Sequence, residues 1–105
     1  MSNNKKILVF TATYNERDNI GILIHSILTN CSYVDILIID DNSPDKTFEK
    51  IQEEQNKYKN IFLLKRESKL GLDTAHKKAY DYAIKNDYDI LITMDADLSH
   101  DPKEI

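Results

Sequence analysis

Four short apolar runs constrain this chain more than anything else in it: Ile7-Leu8-Val9-Phe10, Ile36-Leu37-Ile38-Ile39, Ile61-Phe62-Leu63-Leu64 and Ile90-Leu91-Ile92-Thr93. Each is nearly continuous rather than alternating. A strand with one wet face alternates, whereas a strand covered on both faces does not. Such runs therefore fit a parallel sheet with helices on its faces. Between them lie three segments of helical period. Ile20, Leu23, Ile24, Ile27 and Leu28 fall on one helix face. Asn15 is a candidate N-cap, with Glu16 and Asp18 favourable near the positive helix end. A second helix is expected to open at Ser43-Pro44-Asp45, Ser capping and Pro in the first helical position, and to bury Phe48, Ile51 and Tyr58. A third follows Gly71, with Leu72, Ala75, Ala79 and Ala83 along one side. Those small alanines let a helix approach a sheet closely. The order β-α-β-α-β-α-β implies right-handed crossovers and an α/β fold with a mostly parallel sheet. Asp35-Ile36-Leu37-Ile38-Ile39-Asp40 is echoed by Asp89-Ile90-Leu91-Ile92-Thr93-Met94-Asp95, which reads as two strands with similar jobs.

Composition narrows the function. A chain of 105 residues is one domain, expected over 1–105. Fourteen Lys+Arg against eighteen Asp+Glu give a net charge of −4, which argues against a nucleic-acid footprint. No apolar run approaches the roughly 18 residues of a membrane span, and the N-terminus lacks a signal-peptide pattern. The single Cys31 cannot form an internal disulfide, which suggests a cytoplasmic, reducing compartment and a structural thiol.

Ligands of open α/β sheets bind beyond the carboxyl ends of the strands. Here those ends are polar. The first run leads into Thr11-Ala12-Thr13-Tyr14-Asn15-Glu16, and the second into Asp40-Asp41-Asn42-Ser43-Pro44-Asp45. The third is followed by Lys65-Arg66, Lys69 and Gly71, and the fourth by Asp95-Ala96-Asp97. Two carboxylates one residue apart on an extended segment share a side, and hard oxygen donors suit Mg²⁺ or Mn²⁺. The plain alternative is a solvated acidic loop. Asp40 and Asp41 fit hydrogen bonds to a base or ribose, or helix capping. Arg66 and Lys69 fit a diphosphate, or a solvated turn. Tyr14 fits base stacking or a cap on the core. His76 and His100 have no spaced partner set for a metal.

Taken together and in order, Thr13-Tyr14-Asn15-Glu16, Asp40-Asp41-Asn42-Ser43-Pro44-Asp45, Arg66 with Lys69-Leu70-Gly71-Leu72, and Asp95-Ala96-Asp97-Leu98-Ser99-His100 resemble the N-terminal part of family 2 glycosyltransferases. The polyprenol (dolichol) phosphate mannosyltransferases are the branch most resembled. The resemblance implies a GT-A fold with a Rossmann-like nucleotide-binding half. It implies a nucleotide pocket lined by Thr13, Tyr14 and Glu16, with Asp40 or Asp41 on the base or ribose. Asp95 and Asp97 would hold Mg²⁺ or Mn²⁺ against the diphosphate, which Asp95, Arg66 and Lys69 would also face. The implied reaction is inverting transfer of a hexose from GDP-mannose or a UDP-sugar to an acceptor, a polyprenyl phosphate in the mannosyltransferase branch. That acceptor would bring peripheral contact with the cytoplasmic face of a membrane.

Four positions, in three of the motifs, depart from the family pattern. Ala12 replaces a usual Pro, Lys46 replaces a usual Gly after Ser-Pro-Asp, and Asp73 and His76 stand where Gly and Tyr are frequent. The chain is expected to be the donor-binding half of a longer fold, with any catalytic base beyond Ile105 and an exposed sheet edge that favours self-association. The competing readings are a non-catalytic nucleotide-binding module completed by a second chain, and a receiver-like phospho-acceptor domain. The latter needs an acidic pair after the first strand, where Thr11-Ala12-Thr13 stands.

Overall fold

A computed structural model describes residues 6–13, 17–31, 33–40, 46–66 and 72–94. The elements are β1 (Ile7–Thr13), α1 (Arg17–Asn30), β2 (Asp35–Asp40), α2 (Thr47–Lys57), β3 (Ile61–Lys65), α3 (Leu72–Lys85) and β4 (Ile90–Thr93). All four apolar runs are strands, and the β-α-β-α-β-α-β order is the one the sequence predicts. The sheet is parallel throughout, in the order β3-β2-β1-β4.

That order follows from short right-handed crossovers. The β1-α1-β2 and β2-α2-β3 units step the same way across the sheet, so their helices share a face. The β3-α3-β4 unit steps back past β1, so α3 covers the opposite face. The two cores show this division. Val9, Ile36, Ile38 and Ile61 pack with Ile20, Leu23, Ile24 and Ile27 of α1 and Ile51 of α2. Leu8, Phe10, Leu37 and Ile39 pack with Ala75, Ala79 and Ala83 of α3. Alternate residues of β1 and β2 thus serve both layers, which is why those runs are apolar without a break.

Three expectations change in detail. First, only β1 and β2 are buried on both faces, whereas β3 and β4 are edge strands with half-exposed side chains. The echo between residues 35–40 and 89–95 therefore joins a central strand to an edge strand, whose side chains meet different surroundings. Second, α2 begins at Thr47, not at Pro44. Lys46 is the N-cap residue, with a left-handed backbone (φ 69°), and Ser43-Pro44-Asp45, where the helix was expected to open, lie outside the described residues. Third, Tyr58 sits just past α2 in extended backbone and packs against the core from there.

The C-terminus of α3 closes in a Schellman arrangement. Asp87 is left-handed (φ 59°), the Tyr88 N–H donates to the Ala83 carbonyl at 2.9 Å, and the Asp87 N–H donates to the Ile84 carbonyl at 3.2 Å. Tyr88 and Ala83 both belong to the α3-side core, the hydrophobic contact that accompanies this motif. Cys31 is a buried free thiol after α1, in keeping with the structural role expected of it.

Candidate functional site

The strand order sets where a ligand belongs. β2 and β3 extend the sheet on one side of β1, and β4 extends it on the other. The growth direction reverses at β1, and the crevice at such a reversal opens at the carboxyl ends. At that end Thr13 of β1 lies directly opposite Asp40 of β2 in the parallel register. Both side chains are on the face carrying Val9 and Ile38, the side of α1 and α2.

Thr13 and Asp40 are almost wholly enclosed, at 2% and 0% exposure. A carboxylate so placed requires hydrogen-bond donors in place of water. One of them is the Thr13 hydroxyl, which donates to Asp40 Oδ1 at 2.7 Å. The Asp40 main chain is held as well, because the Arg66 N–H donates to its carbonyl at 2.8 Å. Arg66 follows β3 immediately, so this bond ties the ends of β2 and β3 together. Its guanidinium turns to the other face, where Nη1 donates to Thr74 Oγ1 in the first turn of α3 at 2.8 Å. With only 8% of its surface exposed, Arg66 is not part of a solvated turn. Thr13, Asp40, Arg66 and Thr74 therefore form one chain of hydrogen bonds across the carboxyl edge, from the α1/α2 face to the α3 face.

Sequence reasoning placed three of these four at a site and missed Thr74. Its signal was faint: a hydroxyl three residues after Gly71, in the first turn of a predicted helix. Thr11, named among the polar strand-end residues but given no role, shares the face of Thr13 and is buried, and its hydroxyl has no hydrogen-bond partner among the described residues. Tyr14, Glu16, Asp41, Lys69, Asp95 and Asp97 lie outside the described residues. Pairing of β4 with β1 continues one residue past the strand, through Met94 N–H to the Phe10 carbonyl at 2.9 Å, and Asp95 is the next residue in sequence. Among the described residues no three His, Cys, Asp or Glu side chains gather as a metal centre. His76 packs edge-on to Phe10, with ring centroids 5.3 Å apart.

A separate groove of about 400 Å³ runs between α1 and α2, lined by Asp18, His25, Lys50, Glu54, Lys57 and Tyr58. Buried Glu54 is flanked there by Lys50 at 3.6 Å and Lys57 at 3.5 Å. None of the polar strand-end residues lines it.

The arrangement at the strand ends offers a buried carboxylate and a buried, oriented guanidinium at the reversal point of a parallel sheet. A carboxylate can accept hydrogen bonds from sugar or base donors, and a guanidinium can present a planar fork to phosphate oxygens. The profile described as Glycosyl transferase family 2 matches residues 8–105. The chain is 35% identical over 102 residues to the polyprenol monophosphomannose synthase of Mycolicibacterium smegmatis, covering 96% of this chain and 38% of that protein. It is 38% identical over 103 residues to the dolichol-phosphate mannosyltransferase of Pyrococcus furiosus, covering 95% of this chain and 28% of that protein. The chain thus spans well under half the length of these relatives. In fold it is similar to a mannosyltransferase from Pyrobaculum calidifontis solved in complex with GDP-Man and Mn²⁺. That likeness has a TM-score of 0.80 at 20% identity, over 91% of this chain and 28% of that one.

Proposed function

Because this chain belongs to glycosyl transferase family 2, we propose that it forms the donor-binding part of an inverting hexosyl transferase. The donor is a nucleoside-diphosphate sugar, with GDP-mannose the first choice and a UDP-sugar the second. The acceptor is a polyprenyl phosphate, met at the cytoplasmic face of a membrane. The two mannosyl-transferring relatives support the sugar and the acceptor. No helix among the described residues is long and apolar enough to cross a membrane.

The observation that carries this reading is the Thr13-Asp40-Arg66 edge. Asp40, oriented by the Thr13 hydroxyl, accepts a hydrogen bond from the base or ribose, with Asp41 as its neighbour in that task. Thr13, Tyr14 and Glu16 line the nucleotide pocket. Arg66 and Lys69 face the diphosphate and hold it in one orientation, and this positioning lowers the entropic part of the barrier. Asp95 and Asp97 supply hard carboxylate oxygens next to the end of β4, a donor set that fits Mg²⁺ or Mn²⁺. The cation, when bound, stabilises the charge that builds on the departing nucleoside diphosphate.

The β4 edge favours a second reading, in which the chain binds donor but acts only when completed by further polypeptide. Ile90, Leu91 and Ile92 are apolar yet part-exposed on an edge that no other described strand pairs. Calorimetric titration with GDP and UDP, with and without Mn²⁺, tests the donor site, alongside Asp97→Ala. Metal-dependent binding that the variant loses supports the donor site. A folded chain that binds neither nucleotide overturns it. Mannosyl transfer to polyprenyl phosphate by this chain alone would remove the second reading.

A further inference from the structure

Helix α3 carries large apolar side chains on its solvent side as well as small ones on its sheet side. Ala75, Ala79 and Ala83 pack on β1 and β2, while Tyr80 and Ile84, one turn apart, are 62% and 72% exposed. We propose that the outer face of α3 docks on an anionic lipid surface, with Tyr80 and Ile84 entering the interface and Lys78 and Lys85 meeting lipid phosphates. The proposal gives a surface to the membrane contact in the reading above, and it rests on the acceptor part of that reading alone.

Charge separates this helix from the other two. α1 sets Arg17 against Asp18, and α2 sets Lys50 and Lys57 against Glu49, Glu53 and Glu54. α3 has Lys77, Lys78 and Lys85 against Asp73 and Asp81, a positive excess in a chain whose net charge is −4. Asp73 lies in the first turn, so the charges around Tyr80 and Ile84 are the three lysines and Asp81. Lys77 is on the stripe of Tyr80 and Ile84, three residues before the first. Lys78 and Lys85 line a hollow of about 250 Å³ together with Asp81, Tyr82 and Leu64 of β3. Two turns separate these lysines, about 10 Å along the axis, so each can meet a different phosphate of a bilayer surface. An interfacial helix buries apolar side chains at the headgroup boundary, and lysines add attraction to anionic lipid. Tyrosine suits that boundary because its ring is apolar and its hydroxyl polar. The placement also fits a lipid-borne acceptor. α3 begins at the carboxyl edge of the sheet, where Thr74 accepts from Arg66, and Tyr80 is six residues, about 9 Å, further along. A bilayer lying along the outer face therefore passes beside the mouth of the crevice.

The test is flotation of the chain with vesicles of phosphatidylcholine alone and of phosphatidylcholine mixed with phosphatidylglycerol. Binding to the anionic vesicles is expected to exceed binding to the neutral ones about tenfold, and to fall at high salt, as lysine attraction to anionic lipid does. Lys78→Ala/Lys85→Ala and Tyr80→Ser/Ile84→Ser should each lower it about tenfold. Lys78→Arg/Lys85→Arg should keep it within about twofold, because the charge remains. All four side chains are exposed, so unfolding midpoints should stay unchanged and lost binding is not lost folding. No flotation, equal flotation with both vesicles, or full flotation of either loss variant overturns the proposal. Concentration-dependent association that Tyr80→Ser/Ile84→Ser abolishes, without vesicle binding, overturns it too and assigns the face to a second copy. Titration of GDP and UDP with Mn²⁺ into the same samples separates the two readings. Vesicle binding without nucleotide binding leaves the lipid surface standing and overturns the donor site. Nucleotide binding without vesicle binding does the reverse.

Discussion

Thr13 and Asp40 face each other across the paired ends of β1 and β2, 27 residues apart in sequence, joined by a 2.7 Å hydrogen bond in which the hydroxyl donates. The pair is buried, so its partners cannot be exchanged for water without opening the sheet. Its position at the reversal of strand order is also where the donor is proposed to bind. On that proposal, stability and donor recognition meet in the same two side chains.

Removing the hydroxyl should be felt in both. Thr13→Val keeps the β-branched shape and deprives a buried carboxylate of a donor. The expected loss is about 1.5–3 kcal/mol of unfolding free energy, the range for a buried hydrogen bond to a charged group. Urea unfolding measures it, and nucleotide titration of the same variant should show weaker binding. A change below about 0.5 kcal/mol would mean that Asp40 is satisfied without Thr13.

Lys46 carries a different kind of strain. It stands at φ 69°, where a Cβ crowds the following carbonyl and glycine does not. Its position is the one where the family pattern has Gly after Ser-Pro-Asp, so a left-handed residue accounts for that glycine physically. Lys46→Gly should raise stability by up to about 1 kcal/mol, the relief of roughly 1–2 kcal/mol being offset by backbone entropy. Lys46→Val should lower it, since a β-branched residue fits this region worst. Thermal unfolding of the two variants checks both signs.

The same residue shows why the sequence is legible only in part. The four runs and the alanine face of α3 were readable because burial on a sheet demands a repeated pattern. Ser43-Pro44 signals a helix start from local propensity alone, and no local rule sees that Lys46 turns left-handed before Thr47. Arg66 was readable as a phosphate candidate because of its place after a strand. Its burial was not, because that depends on α3 lying over the sheet with Thr74 in reach. The bond between Tyr88 and Asp35 was likewise invisible, since the two residues lie 53 positions apart.

That last bond gives a pH prediction. The Tyr88 hydroxyl donates to Asp35 Oδ2 at 2.7 Å, at the amino end of β2. Burial first, then the hydrogen bond and negative charge of Asp35, hold the phenol well above its ordinary value of 10.0. The folded state thus favours the protonated phenol more than the unfolded state does. This contribution is complete below about pH 10 and is lost as pH rises above it. Urea midpoints measured from about pH 8 to 11 should fall at the alkaline end, and Tyr88→Phe should remove part of that fall. An identical alkaline slope in the variant would show that Tyr88 is not its source.

The outer edge of β4, which no other described strand pairs, leads to the last expectation. The strand is four residues long, carries no charge, and leaves Ile90 37% exposed. Edge strands of soluble proteins are commonly blunted by lysine or proline, and this one has neither. On α3, Tyr80 and Ile84 are exposed one helical turn apart. An edge of this kind pairs with whatever strand reaches it, including a second copy. Sedimentation velocity over a concentration series should show association of the unmodified chain. Ile90→Lys should shift it towards monomer, with stability changed by less than about 1 kcal/mol because the side chain already reaches solvent. A chain that stays monomeric throughout would show that the β4 edge does not drive self-association. Loss of folding in Ile90→Lys would show instead that Ile90 contributes to the core despite its exposure.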